Sequence, residues 1–352
     1  MTVLVIAPGA AYCTRDVFDG LCAGLSSAGV NVATYSLHGR LAVANNTQHA
    51  AWRLRKKTDR ASPRPTVHDI AYESCLGIFE KCYRFDPDVV LFVSGVLITA
   101  ETFQLLRKRH TVGVLLTESP YLMEHEQRIA AHVDLVWTHE RAAVPLLRQV
   151  QPRTEYLPHA WLPGRHDAVS SSPDLPEHDV VFVGTDFPER IALLEAVDWT
   201  GIDLGLYGNW GSLRADSPLK PCVRQTQIDN ATTAALYRRA KIGLNLYRTS
   251  TDFSGRPLTL PAHSLNPRAY ELAAAGVFTL STPRAELAER FGDRVPTFTT
   301  AAELQALLSR WLADDAGRAA VAAQLPACVA EDTWLTRGRQ LVAHLRDSAR
   351  AA

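Results

Sequence analysis

The stretch Ser264–Ser281, SLNPRAYELAAAGVFTLS, predicts a short capped helix that runs directly into a buried strand. Asn266 is a preferred N-cap, and Pro267 fits the first helical position, where no amide donor is needed. Gly276 is the usual type of residue at which a helix ends. The apolar run VFTLS (277–281) then reads as a strand, so this stretch is one helix–strand repeat of an α/β domain.

The first turn of this helix suits an anion. The amides and dipole of a helix N-terminus favour a phosphate, and Arg268 adds a permanent charge there. Glu271 follows three residues later, so both side chains project from one face. That face suits a nucleotide diphosphate and its ribose. The alternative is an ordinary capped helix with a surface Arg268–Glu271 pair of little energetic value.

The same alternation of strand and helix extends in both directions from this stretch. Apolar runs in the second half predict four further strands, VVFVG (180–184), IDLGLYG (202–208), IGLNLYR (242–248) and VPTFT (295–299). Those in the first half are TVLVIA (2–7), VNVATYS (30–36), VVLFVS (89–94), TVGVLLT (111–117) and DLVWT (134–138), with helices near 15–28, 68–84, 99–109 and 140–149. Val-, Ile- and Leu-rich strands of this kind are typical of parallel sheets buried on both faces.

A linker rich in Pro, Ser and Asp near 158–178 divides the chain. We therefore predict two Rossmann-like, doubly wound domains, 1–160 and 161–330, facing across a cleft, with a terminal helix in 331–352 packing back on the first. In such sheets ligands bind outside the carboxyl ends of the strands, so polar residues on those loops are the first functional candidates.

Composition excludes several classes of protein. The 352 residues contain 37 Lys plus Arg and 37 Asp plus Glu, so no overall charge recruits nucleic acid or an anionic membrane. The six cysteines form no CxxC pair, which argues against a disulfide framework or a zinc site. The N-terminus has no signal-peptide pattern, and the longest apolar run is too short to cross a membrane. We predict a cytoplasmic protein.

Seven stretches occur in order along the chain: LLTESPY (115–121), DLVWTHE (134–140), YLPHA (156–160), DVVFVGTDFPER (179–190), LYGNW (206–210), AKIGLNLYR (240–248) and SLNPRAYELAAAG (264–276). Together they resemble the CgeB-like (spore maturation protein) family of GT-B glycosyltransferases, in the glycogen-synthase-like group. The resemblance implies a GT-B fold, an acceptor site mainly in the first domain, a donor site mainly in the second, and no metal or other cofactor. The co-substrate it implies is a nucleoside diphosphate sugar, with UDP-sugar the leading candidate.

The resemblance also assigns residues to the donor. Glu271 takes the position whose carboxylate holds the ribose hydroxyls, and Asn266 and Arg268 match the polar pair beside the diphosphate. Gly184 would let backbone amides approach the phosphates, and Arg190 would add charge. His263 stands eight residues before Glu271, where the wider group often has a second acid; an imidazole can donate to a sugar hydroxyl but accepts differently.

Asp16 and Glu118 are the acids best placed at strand ends of the acceptor domain, with Arg190 assisting departure of the diphosphate. An inverting enzyme would use one acid as general base, whereas the resemblance implies a retaining enzyme in which they position the acceptor. The alternative for Asp16 is a helix N-terminal charge, and for Glu118 a solvated loop.

The one local charge asymmetry is the basic loop predicted at 53–64, in WRLRKKTDRASPRP (52–65). One interpretation is a solvated loop, and the other is a contact for a polyanionic acceptor such as hydroxymethylated DNA or a phosphorylated glycan. No Walker A or GxGxxG motif is present. Two rivals stay open: a non-catalytic nucleotide-sugar-binding protein, and a sugar-nucleotide epimerase of the same fold.

Overall fold

The computed structural model describes residues 1–8, 14–167, 174–225, 228–248, 251, 255–258 and 260–350. The chain forms two compact units. The first consists of Met1–Pro158, Thr259–Pro261 and Arg337–Ala352, and the second of His159–Leu258 and Ala262–Thr336.

The first unit is built on a six-stranded parallel sheet with the order β2-β1-β3-β4-β5-β6. Its strands are β1 (Thr2–Ala7), β2 (Asn31–Ser36), β3 (Val89–Val93), β4 (Thr111–Leu116), β5 (Leu135–Thr138) and β6 (Thr154–Tyr156). All five residues of β3 are buried, as expected of a central strand covered on both faces. The five strands predicted in this half are confirmed, whereas the three-residue β6 is too short to leave a periodic signal.

Six α-helices belong to this half of the chain: α1 (Arg15–Ser27), α2 (Leu37–Thr58), α3 (Val67–Phe85), α4 (Ala100–Leu106), α5 (Met123–Ala130) and α6 (Val144–Arg148). The helix predicted at 140–149 begins as the 3-10 turn Arg141–Ala143 before α6. The last helix of the chain, α14 (Trp334–Arg350), packs on α1, where a Cβ on Gly338 would lie 2.1 Å from the carbonyl carbon of Gly24.

The prediction of a basic loop at 53–64 is wrong for half of that range, because α2 continues to Thr58. Only Leu37 and Ala44 of this helix are buried, so its sequence carries no apolar stripe by which to recognise it. Its Ala, Leu, Gln, Arg and Lys residues nevertheless have high helix propensity, and the capping box of Thr66 and Asp69 begins the next helix.

The second unit has a five-stranded parallel sheet with the order β11-β10-β7-β8-β9. Its strands are β7 (His178–Val183), β8 (Leu204–Tyr207), β9 (Val223–Gln225), β10 (Ala240–Asn245) and β11 (Thr279–Ser281). Its helices are α7 (Pro188–Glu195), α8 (Asn230–Arg239), α9 (Pro267–Ala274), α10 (Ala285–Phe291), α11 (Ala301–Ala313), α12 (Asp315–Ala322) and α13 (Leu325–Cys328).

The strand predicted at 295–299 is wrong. This segment makes only an isolated bridge between Ser281 and Thr297, because Pro296, its second residue, has no N–H to continue a ladder. The short β9 was missed for the same reason as β6. None of the described helices has the length and apolar character needed to cross a membrane.

Candidate functional site

The carboxyl ends of β7 and β10 mark the centre of the candidate site. In this sheet, β8 and β9 lie on one side of β7, and the next two strands of the chain, β10 and β11, lie on the other side. The strand order therefore reverses between β7 and β10. In open parallel sheets, ligands bind where the order reverses, outside the carboxyl ends of the strands.

Helix α9 points its N-terminus at this place, and the cap prediction is confirmed. The Asn266 side chain accepts from the Ala269 amide at 3.1 Å, and Gly276 ends the turn after α9 with φ +65°. Pro267 has no N–H and the Ala269 amide serves the cap. Arg268 is then the one residue among the first three of the helix whose amide is left for a ligand.

The Arg268 guanidinium is fixed at the end of β7. Its Nε and Nη2 both donate to the Val183 carbonyl, at 3.0 and 2.5 Å, and Nη1 lies 3.4 Å from Asn245 Oδ1. The group also stacks 4.7 Å from the centre of the Phe182 ring. These contacts hold a permanent positive charge at the carboxyl edge of the sheet.

Gly184 lies directly beneath that guanidinium. A Cβ at this position would meet Arg268 Nη2 at 2.9 Å and the Phe182 ring at 2.8 Å. Its own amide donates to the Tyr207 carbonyl at 2.9 Å. Gly184 thus contributes space for Arg268, and its N–H is already used within the sheet.

Asn245, at the end of β10, links the elements of the site and was missed in the sequence. This side chain is fully buried; its Oδ1 accepts from Asn266 Nδ2 at 2.9 Å, and its Nδ2 donates to Ser281 Oγ at 3.2 Å. It joins β10, β11 and the α9 cap in one network. The sequence signal that could have identified Asn245 is its position as the one amide side chain at the end of the apolar run IGLN.

Arg190 ties the ends of β7 and β10 together from the first turn of α7. Its two terminal nitrogens donate to the carbonyls of Thr185, at 2.9 Å, and Leu246, at 2.7 Å, and the residue is buried. This geometry fits a positioning role for the loop that follows β7. A direct phosphate contact by Arg190 stays a prediction.

Two further arginines, missed in the sequence, add positive charge beside this loop. Arg248 stacks 4.7 Å from the Phe187 ring, on which Arg190 also stacks at 4.8 Å. Arg284, just before α10, donates to the Arg248 carbonyl at 2.8 Å. Both follow strand ends, which is the positional signal that would have identified them. Four arginines, Arg190, Arg248, Arg268 and Arg284, therefore lie at or just beyond the strand ends of the second sheet.

Glu271 lies one turn into α9, almost buried, with its Oε1 4.0 Å from Nε2 of His166. Nδ1 of His166 accepts from the Leu162 amide at 3.0 Å, so the ring proton of a neutral imidazole lies on Nε2 and faces the carboxylate. Burial lowers the pKa of His166 to about 4, which keeps the ring neutral. His166 was missed because nothing in its loop sequence marks it.

His263 contacts helix α10. Its Nε2 is 3.5 Å from Glu289 on α10, and its carbonyl accepts from the Glu286 amide. The buried Glu286 carboxylate holds the start of the α9 segment by accepting from the Leu265 amide at 2.8 Å. The predicted contact of His263 with a sugar stays a prediction. Much of the predicted loop 248–263 over the donor, at 249–250, 252–254 and 259, falls outside the described residues.

In the first unit, the order also reverses, between β1 and β3. Glu118 follows β4 at the carboxyl edge of this sheet. Asp16 is the second residue of α1, within the helix predicted near 15–28, and its charge favours the helix N-terminus. Ser94, at the end of β3, adopts φ +71°, a strained conformation for a residue with a side chain and one that is typical of functional sites.

A buried carboxyl fixes the loop that carries Glu118. Glu126 of α5 is fully buried, and its carboxyl accepts hydrogen bonds from the Glu118 amide, at 2.9 Å, and from Ser119 Oγ. Burial, the largest cause, raises the pKa of Glu126 to about 7. The missed signal is its spacing, because Glu126 stands three residues from both Met123 and Ile129 on the core face of α5.

The chain is similar to known proteins in part of its sequence and in its fold. Residues 190–343 match the model of a family described as Glycosyl transferase-like. No curated protein is a significant match. Among solved structures, a sucrose-phosphate synthase from Thermosynechococcus elongatus is similar over 100% of both chains, with TM-score 0.68 and 15% identity.

Two further structures are similar over nearly their whole length. A trehalose-6-phosphate synthase has TM-score 0.59 and 14% identity over 98% of this chain and 99% of its own. A protein assigned as a UDP-N-acetylglucosamine 2-epimerase from Listeria monocytogenes has TM-score 0.61 and 11% identity over 99% and 97%. At these identities the likeness establishes the fold.

The chain therefore has the fold of GT-B glycosyltransferases, with two parallel-sheet α/β domains. The family match covers residues 190–343, less than half of the chain, and the structural neighbours establish the fold. Membership of the CgeB-like family stays a prediction.

Proposed function

We propose that this protein is a glycosyltransferase that moves a sugar from a nucleoside diphosphate sugar, with UDP-sugar as the leading candidate, to a hydroxyl acceptor. One observation carries the proposal. Helix α9 brings Asn266, Arg268 and Glu271 to the point where the second sheet reverses its strand order. A cation at the strand ends and a carboxylate one turn further match a diphosphate followed by a ribose.

In this proposal, Glu271 accepts hydrogen bonds from the ribose hydroxyls, while Arg268 and the arginines beside it stabilise the departing diphosphate. Gly184 keeps Arg268 in place. Glu118 and Asp16 belong to the acceptor side. We propose that they position the acceptor and that the anomeric configuration is retained. The similar structure of trehalose-6-phosphate synthase is described as one of an enzyme that carries out glycosyltransfer with retention.

The test of the donor site is calorimetry with UDP and with 2′,3′-dideoxy-UDP. Glu271→Ala should weaken UDP binding by about 1.5–3 kcal/mol, the value of a hydrogen bond to a charged group. The wild type should lose a similar amount on the dideoxy compound, whereas Glu271→Ala should bind both nucleotides equally. Glu177→Ala is the matched control, because it removes an exposed acid of the same unit. A variant that still distinguishes the two nucleotides would contradict the ribose assignment.

The products formed from a labelled nucleotide sugar distinguish the proposed transferase from the two rival functions. A sugar-nucleotide epimerase of this fold, to which the Listeria structure gives a precedent of architecture, would convert the labelled nucleotide sugar without an acceptor. A non-catalytic binding protein would return it unchanged. The proposed transferase should release UDP slowly by hydrolysis alone and faster when its acceptor is present.

A further inference from the structure

Helix α2 contributes almost nothing to the core for its length. Of its 22 residues only Leu37 and Ala44 are buried. It is held against α3 partly by polar contacts, since Thr47 Oγ1 and Gln48 Nε2 both donate to the carboxylate of Glu73. Packing alone does not explain a long helix that is polar nearly all round.

The outer face of α2 forms a pocket of about 490 Å³. It is lined by Asn45, Asn46, His49, Arg53 and Arg64. Asn45, His49 and Arg53 are spaced four residues apart and so share one face of the helix, while Arg64 comes from the segment after it. Every one of these side chains can donate a hydrogen bond, and none is acidic.

Hydrogen bonds orient this lining. Arg64 Nε lies 3.4 Å from His49 Nε2, and His49 Nδ1 lies 2.9 Å from the Asn45 carbonyl. This pair of contacts places the ring proton on Nδ1 and brings the Arg64 guanidinium over the helix. Within the described ranges, no acid lies at ion-pair distance from Arg53 or Arg64.

The neighbouring cations of α2 have other roles. Arg55, Lys56 and Lys57 occupy the last turn, where positive charge stabilises the helix dipole. Lys56 also lies 4.8 Å from the Trp52 ring. Arg53 precedes that turn, and Arg64 lies beyond the helix, so neither charge is explained by α2 itself.

We infer that this pocket binds a phosphate group, and that the acceptor proposed above is a nucleic acid, whose backbone carries phosphates. The inference rests on the proposed function for the identity of the ligand as an acceptor. The two guanidinium groups and two side-chain amides that line this pocket supply hydrogen-bond donors that match the oxygens of a phosphate.

The experiment measures binding of inorganic tripolyphosphate by calorimetry and of a fluorescent single-stranded dT20 by anisotropy. Arg53→Ala/Arg64→Ala and the control Arg55→Ala/Arg60→Ala each remove two positive charges from the same region. We expect the first to weaken both ligands by about tenfold and to reduce the salt dependence of dT20 binding, and the control to weaken them by less than about threefold. Equal losses of affinity in the two double variants would overturn the pocket, because they would indicate binding by diffuse charge. Absence of binding by the wild type would also overturn it.

Two further measurements separate this inference from its alternatives. UDP affinity should be unchanged in Arg53→Ala/Arg64→Ala. UDP therefore tests the proposed donor site, whereas tripolyphosphate and dT20 test the pocket. Binding to vesicles containing phosphatidylglycerol but not to dT20 would overturn the acceptor role, because it would indicate a membrane contact. Circular dichroism confirms that both variants, altered at exposed positions, remain folded.

Discussion

The Arg268 guanidinium occupies the space that a side chain on Gly184 would need, with Nη2 only 2.9 Å from the position of a Cβ. The two residues are far apart in sequence, and their contact places a charge at the end of β7. Because Arg268 also donates twice to the Val183 carbonyl, the strand end and the helix hold each other in position.

Gly184→Ala should therefore displace Arg268. We expect a stability loss of about 1–3 kcal/mol from overpacking, together with weaker UDP binding. Urea unfolding and calorimetry measure the two effects. Gly211→Ala is the matched control, since a Cβ there meets only Asn209 Oδ1, at 3.4 Å. Wild-type affinity in Gly184→Ala would show that the position of Arg268 does not matter for the nucleotide.

Two substitutions of Asn266 distinguish its role as the N-cap of α9 from its proposed position beside the diphosphate. Asn266→Ala removes the acceptor for the Ala269 amide and should cost about 1 kcal/mol of stability. Asn266→Asp keeps that acceptor, loses the donor to Asn245 Oδ1 as Asn266→Ala also does, and puts a negative charge where we propose the diphosphate lies. It should unfold closer to the wild type in urea and yet bind UDP more weakly than Asn266→Ala does. The reverse order of UDP affinities would refute the diphosphate assignment.

Asn245→Ala should destabilise the second unit by about 1–3 kcal/mol, because it removes the buried partner of Asn266 Nδ2 and Ser281 Oγ. Urea unfolding measures this loss. Because the same side chain lies beside Arg268, UDP binding should weaken as well. A variant with lowered stability and full UDP affinity would limit Asn245 to a structural role.

Glu126 predicts a pH dependence of stability in the first unit. Its pKa, about 7 when folded against an ordinary 4.5, means that the folded state holds the proton more tightly. The stabilisation is complete below the ordinary pKa and is lost as pH rises through about 7, by about 3 kcal/mol in total. Buried His139 and His166, whose pKa values are lowered to about 4, act in the opposite direction.

Glu126→Gln isolates this effect, since it keeps the shape of the side chain and an acceptor for the Glu118 amide. We expect the wild type to lose unfolding free energy relative to Glu126→Gln as the pH rises. The two free energies are measured by urea unfolding from pH 5 to pH 8. A difference that does not change with pH would mean that Glu126 does not titrate in this range.

The sequence by itself determined the α/β repeats, most strands and the Asn266 cap, because each depends on residues close together in the chain. Periodic apolar runs and a cap three residues from its amide are local signals. The failures are equally local in cause: α2 has no apolar stripe, β6 and β9 are three residues long, and Pro296 interrupts the last predicted strand.

Only the tertiary structure decided how the site is held together. Arg268 with Val183, Asn245 with Ser281, and His166 with Glu271 are pairs separated by 36 to 105 residues. Such contacts form because parallel strands bring their carboxyl ends to one edge, whatever their separation along the chain. In the first unit, the packing of α5 turns Glu126, an ordinary acid in the sequence, into a buried carboxyl that holds the Glu118 loop.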